Sequence, residues 1–222
     1  SGSFLELLSN SINLDKNEII VLEDNKKKYS FIEKFDNKSI KKITFKKGAD
    51  LISRKDLVRD VYISVSSTPS KRYQTYIKLN NELNNYPNLF QASSKISNFC
   101  ELSNGIYLGD YTTVESNTFL KNFCFINSHT HIGHDSGIGN FSILGGSVTV
   151  NGNCDIGDFC LLGSAVTVIN NKKIGWGSVI QAGTTITENI PPLSYVSGNP
   201  IKILPVQILG SNFCLPENVD LI

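Results

Sequence analysis

One regularity governs what this chain can fold into: a six-residue period running from Ile96 to Ile186. Stepping in sixes from Ile96 meets Leu102, Leu108, Val114, Leu120, Ile126, Ile132, Ile138, Leu144, Val150, Ile156, Leu162, Val168, Ile174, Ile180 and Ile186, with no polar interruption. Neither a 3.6-residue helix nor a two-residue strand alternation yields a strict six, so the stretch is an internal repeat. The residue two before each step is mostly small, as at Ser94, Cys100, Thr112, Thr118, Cys124, Thr130, Ser136, Ser142, Cys154, Cys160, Ser178 and Thr184, with Ile106, Val148, Val166 and Lys172 departing. The residue after each step is often glycine, as at Gly109, Gly133, Gly139, Gly145, Gly157, Gly163 and Gly175. Glycine tolerates the left-handed backbone of a tight corner. Each hexad therefore predicts a short strand with one large and one small inward residue, followed by a corner at the glycine. Three strands per turn predict an eighteen-residue triangular coil, and about five such coils make a parallel β-helix. The large residues should then stack in ladders eighteen apart, roughly 4.8 Å per coil.

The rest of the composition narrows the function. A net charge of +1 over 222 residues leaves no electrostatic footprint for nucleic acid or an acidic membrane. No apolar run reaches about 20 residues and no signal peptide is evident, which predicts a cytoplasmic protein. Of the five cysteines, Cys100, Cys124, Cys154 and Cys160 share the small inward phase of the repeat, which predicts reduced, buried core fillers. No CxxC pair supports a metal or disulfide reading, and Cys214 in the tail is uninformative.

Upstream of the repeat, Leu5, Leu8 and Ile12 share a helical face. Residues 18–25 read as a buried strand, 50–59 as a helix, 60–66 as a second strand, and 69–83 as a helix with Pro69 in its first turn. This order predicts a small parallel α/β domain, in which ligands bind beyond the carboxyl ends of strands. That points to Asp24, Asn25, Ser66, Ser67 and Thr68. Ser1, Gly2 and Ser3 read either as an expression scar or as the end of a glycine loop.

The three histidines cluster at His129, His131 and His134. His134 lies two past Ile132, on an outward corner, with Asp135 next to it. Gly152, eighteen later, sits one coil up on the same corner. An imidazole beside an open backbone N–H is what acyl transfer requires. His129 and His131 read as ordinary polar residues. Trp176, the single tryptophan, lies on an outer corner and reads as an interface residue.

The stretch from Ile126 to Lys202 resembles the hexapeptide-repeat sugar acetyltransferases of the bacillosamine and sialic-acid O-acetyl pathways. The His134-Asp135-Ser136-Gly137-Ile138-Gly139 segment is similar to their His-acidic motif, and Gly198-Asn199-Pro200-Ile201-Lys202 to their tail motif. Residues 60–73 look like their last Rossmann strand and following helix. The resemblance implies an α/β Rossmann-like domain over 1–88, a left-handed parallel β-helix over 89–204 and a tail over 205–222. It implies a homotrimer that uses acetyl-CoA and no metal. His134 would be the general base, Asp135 its orienting acid and Gly152 the backbone donor. Coenzyme would lie between subunits along Gly163, Ser164, Ala165, Gly183, Gly198, Asn199, Pro200 and Lys202. A nucleotide-linked amino sugar would be held by Gly2, Ser3, Asp24, Asn25, Ser67 and Thr68. Some members carry a second His nine residues after the base, where this chain has Ile143.

N-acetylation of the nucleotide-linked amino sugar is thus the expected activity, with O-acetylation of a sugar such as a sialic acid as the close rival. A γ-type carbonic anhydrase would need three zinc-binding histidines, yet no His precedes His129. A non-catalytic scaffold would give no reason for the His134–Asp135 pair.

Overall fold

The structure, a computed structural model, describes residues 60–64, 67–80, 82 and 84–209, together with the backbone of 19–23, 40–44 and 59. The chain divides into two compact units, Ser1–Ser64 with Tyr76–Asn85, and Val65–Thr75 with Tyr86–Ile222.

In the first unit, β1 (Ile19–Glu23) pairs in parallel with β2 (Ile40–Thr44) over five residues. The strand expected at 18–25 is therefore present. β2 was not anticipated, because its IKKIT sequence carries lysines in a charged stretch. The strand expected over 60–66 is reduced to β3 (Arg59–Asp60), paired in parallel with β4 (Asn84–Asn85), and 61–64 join no ladder. Among the described residues these four strands form two separate two-stranded sheets rather than one parallel sheet. The helix expected near Leu5–Ile12 and residues 50–58 of the helix expected at 50–59, whose last residue Arg59 is instead in β3, together with Gly2, Ser3, Asp24, Asn25, Ser66 and Cys214, lie outside the described residues.

Helix α1 spans Pro69–Leu79. Thr68 caps it: its Oγ1 accepts the Lys71 N–H at 3.3 Å and its carbonyl accepts the Arg72 N–H at 3.1 Å.

The second unit contains a parallel β-solenoid of about six turns. One face stacks Leu89–Phe90, Tyr107–Leu108, Phe125–Ile126, Ile143–Leu144, Leu161–Leu162, Val179–Ile180 and Ser194–Ser197, closed by antiparallel Lys202–Pro205. The second face has six strands, from Lys95–Ile96 to Thr185–Ile186, and the third has five, from Glu101–Leu102 to Lys173–Ile174. Partners are eighteen apart as far as Ile186, as in Ile96↔Val114 and Ile132↔Val150, and the last turn shortens to sixteen, as in Ile180↔Val196. The ladder residues from Leu108 to Ile186 are at most 3% exposed, and each such side chain contributes roughly 1.5–3 kcal/mol of hydrophobic stabilisation.

The small inward residues do more than fill space. Most donate to the carbonyl fifteen residues on: Thr130 Oγ1 to Gly145 O at 3.0 Å, Ser142 Oγ to Gly157 O at 2.8 Å, Cys124 Sγ to Gly139 O at 3.1 Å. Cys124, Cys154 and Cys160 are buried free thiols, whereas Cys100, on the first full coil, is only half-buried. Burial pushes the Cys124 thiol up to about 12.

The glycines after each step were expected to supply the left-handed corner, and they do not. Positive φ falls two residues later, largely on non-glycine residues: Tyr111, Phe123, His129, Asp135, Phe141 and Phe159, at φ 55–60°. Such backbone costs of order 1 kcal/mol or more per residue and is held by bonds to the coil below, as Asp135 N–H to Ser116 O at 3.1 Å. The glycines answer to crowding instead. A Cβ on Gly133 would lie 2.7 Å from Gly152 N, and one on Gly163 would lie 2.5 Å from Ala182 N.

The positive-φ positions give the three edges different characters. Between the third and first faces, Phe123, Phe141 and Phe159 stack at 4.9 and 5.4 Å. Tyr73 of α1 meets Phe141 and Phe159 edge-on, and the buried Arg72 Nε donates to Phe123 O at 2.6 Å. Between the first and second faces the series is Tyr111, His129, Ser147, Ala165 and Gly183. Between the second and third it is Asn117, Asp135, Asn153 and Asn171.

Candidate active site

The second–third edge carries the His134 group. The left-handed backbone at Asp135 (φ 55°) folds its carboxylate back beside the preceding side chain, so that Oδ2 lies 2.6 Å from His134 Nδ1. A carboxylate only accepts, so Nδ1 carries the proton and Nε2 is left as the basic atom. Nε2 faces Gly152: a Cβ there would lie 2.6 Å from it. Gly152 is buried, and its N–H has no hydrogen-bond partner among the described residues.

The hydrogen bond to Asp135 holds the imidazole above its ordinary range, and the charges of Asp135 and Glu115 add to this against a smaller desolvation effect. His134 and Asn117 in turn hold the Asp135 carboxyl below the usual carboxylate range. The coil below supports both residues. Glu115 Oε2 accepts the His134 backbone N–H at 3.0 Å, and Asn117 Nδ2 donates to Asp135 Oδ1 at 3.2 Å. Neither Glu115 nor Asn117 was singled out from sequence, although Asn117 lies one coil back from Asp135 and Glu115 one residue further than that from His134. An open cleft beside His134 is lined by Lys95, Thr113, Glu115 and Ser116.

The three histidines do not converge. His129 stacks on Tyr111 at 5.1 Å on the first–second edge, and His131 Nδ1 lies 2.8 Å from Thr113 Oγ1 on the second face. No group of three or more metal-ligating side chains occurs among the described residues.

The residues expected to hold coenzyme gather on the first–second edge, across the second face from His134. Ser164 and Ala165 are exposed there, and Gly183 N–H donates to Ser164 O at 2.9 Å. Asn199 ties the Gly198–Lys202 turn to this edge: its Oδ1 accepts the Thr185 N–H at 2.8 Å and its Nδ2 donates to Gly183 O at 3.0 Å. A Cβ on Gly183 would meet nothing within 4 Å, so the edge is open. Ser67 is exposed, and the Thr68 hydroxyl serves as the α1 cap. Trp176 is half-buried on the second-to-last coil, and its carbonyl accepts the Leu193 N–H at 2.9 Å. No helix among the described residues is long and apolar enough to cross a membrane.

No protein-family model matches this chain, and no curated protein does. Solved structures do. PerB from Caulobacter crescentus, in complex with CoA and GDP-perosamine, shares 16% identity at TM-score 0.72, over 85% of this chain and 98% of that one. The acetyltransferase domain of PglB from Neisseria gonorrhoeae, in complex with acetyl coenzyme A, shares 20% at 0.74, over 91% and 92%. WeeI from Acinetobacter baumannii shares 18% at 0.70, over 91% and 92%. The chain thus has, along most of its length, the fold of solved acetyltransferases that hold CoA or acetyl-CoA.

Proposed function

We propose that this protein is an acetyl-CoA-dependent N-acetyltransferase acting on a nucleotide-linked amino sugar. We further propose that its solenoid is a left-handed β-helix and that it works in the cytoplasm as a homotrimer. The observation that carries this reading is the His134–Asp135 pair, with Nε2 presented to Gly152 on an exposed edge. The solved proteins of the same fold, one of them in complex with CoA and GDP-perosamine, support the choice of substrates.

The sugar amine attacks the thioester carbonyl, and His134 Nε2 takes the proton that the nitrogen sheds. The carbonyl oxygen becomes an oxyanion, to which the Gly152 N–H donates. The C–S bond then breaks, the amide forms, and the sulfur leaves to give CoA. Asp135 keeps the imidazole in the Nδ1–H tautomer and stabilises the imidazolium. Coenzyme would run along Gly163, Ser164, Ala165, Gly183, Gly198, Asn199, Pro200 and Lys202. In one chain these lie on a different edge from His134, and a cyclic trimer that sets one edge against a neighbour's would complete the groove. Gly2, Ser3, Asp24, Asn25, Ser67 and Thr68 would contribute to the nucleotide site.

A panel of nucleotide-linked amino sugars, incubated with acetyl-CoA and read by mass spectrometry, tests the proposal. An acetylated amine with release of CoA is the expected product. An ester on a free sugar would replace it with O-acetylation, and no product on any acceptor would favour a scaffold role.

A further inference from the structure

Along the second–third edge, side-chain amides pair between coils, as where Asn153 Nδ2 donates to Asn171 Oδ1 at 3.1 Å. At one level the pattern changes: Asp135 replaces the amide. Asn117, one coil below, donates to its Oδ1 at 3.2 Å, and its Oδ2 turns sideways to His134 Nδ1 at 2.6 Å. Each carboxylate oxygen thus has its own partner, and the two bonds together fix the plane of the carboxylate. Without Asn117, Asp135 is free to rotate about its side-chain bonds, since it is about half exposed to water.

We propose that Asn117 is a positioning residue for the His134–Asp135 pair, acting one coil away by locking the Asp135 carboxylate toward His134 Nδ1. The inference rests on the acetyl-transfer function proposed above for its kinetic consequence, but its geometric content is independent of that function. Other groups face the same imidazole. Glu115 Oε2 holds the His134 backbone N–H, its Oε1 lies 3.9 Å from His131 Nε2, and Lys95 lines the same cleft. None of these touches the Asp135 carboxylate, so a change at Asn117 reaches the ring through Asp135.

Position 117 has φ 57°, which glycine adopts without strain and aspartate tolerates. Asn117→Gly removes the donor without disturbing the corner, and Asn117→Asp puts a like charge beside Asp135. The His134 ring is titrated by proton NMR in the free protein, its signal assigned by loss in His134→Ala. Plateau kcat is measured with acetyl-CoA and the accepted amino sugar. In Asn117→Gly the midpoint of His134 should fall, because the carboxylate is no longer held against Nδ1. In Asn117→Asp it should rise, because a second anion favours the imidazolium. Plateau kcat in Asn117→Gly should drop about tenfold, less than on removing the base itself, with KM for acetyl-CoA within about twofold of wild type.

Unmoved midpoints in both variants, or shifts in the same direction, overturn the proposal, even if activity falls. If His134→Ala keeps full turnover, His134 is not the base; if no acceptor gives product, the acetyl-transfer function fails; in either case the titration still decides whether Asn117 positions the pair.

Discussion

Gly152→Ala isolates the geometry on which the proposed chemistry depends. The new Cβ would lie 2.6 Å from His134 Nε2, 2.7 Å from Cε1 and 3.1 Å from Cδ2. Ordinary carbon contacts lie near 3.5–4.0 Å, so something must give by about 1 Å. The Gly152 backbone is poorly placed to yield. Its carbonyl accepts the Asn171 N–H at 3.1 Å, and its neighbours are held by Asn151 N–H to Val168 O at 3.0 Å and Asn153 N–H to His134 O at 2.9 Å. The imidazole, more than half exposed, is what moves, and moving it strains or breaks the Nδ1–Oδ2 bond to Asp135. A displacement of about 1 Å in a catalytic group costs on the order of 10²-fold in rate, equivalent to about 2.7 kcal/mol in the barrier. The fold should be spared. Gly152 is not at positive φ, and Gly→Ala at a compatible position changes stability by about 1 kcal/mol or less. The assay is CoA release followed by a thiol reagent, alongside thermal unfolding of the same preparations. The expected result is kcat down about 10²-fold with the melting temperature nearly unchanged. A variant that keeps kcat within about threefold of wild type would refute the claim that Nε2 works against this glycine.

His134→Ala should lower kcat by roughly 10²–10⁴-fold while the protein stays folded, since its side chain fills no core space. In the wild type, log kcat should rise with pH and level off above a midpoint that lies higher than that of an ordinary histidine, because Asp135 and Glu115 favour the imidazolium and the base acts only when neutral. Asp135→Asn should move that midpoint down, and a pH profile identical to wild type would remove Asp135 from the mechanism. Ile132→Ala, at a fully buried position between Val114 and Val150, should destabilise by about 2–5 kcal/mol in a denaturant titration. Sedimentation at micromolar concentration should show a trimer, and monomer alone would leave the two edges of the site without each other.

The solenoid was legible in the sequence because its register is arithmetic: once the period is six and the turn eighteen, Ile132 must lie between Val114 and Val150, and it does. The same arithmetic put Gly152 over His134. Carried one coil in the other direction from Asp135, it would have named Asn117. The corners were misread, because propensity assigns left-handed backbone to glycine, whereas here the coil imposes it on Phe, Tyr and His through bonds to the turn below. Close approach between coils, which no local propensity reports, is what the repeated glycines satisfy. The hydroxyl and thiol donors on the inner row looked merely small until their carbonyl partners were visible. Outside the repeat no such arithmetic exists, and β2 and the short β3 depended on pairings between segments far apart in sequence.

The eighteen-residue register makes the solenoid behave like a screw thread, and this sets a quantum for changes in length. Removing or inserting eighteen residues at a corner would slide everything beyond it by one strand spacing, roughly 4.8 Å, without turning it. A change of six or twelve would rotate the remainder by a third or two-thirds of a turn, setting tyrosine and histidine corners over asparagine ones. Between residues 153 and 171, a whole-coil insertion would therefore carry the Asn199-tied turn further along the axis from His134 while leaving both on their own edges. The distance between the His134–Asp135 pair and the Gly198–Lys202 turn could thus be lengthened in steps, with their directions preserved.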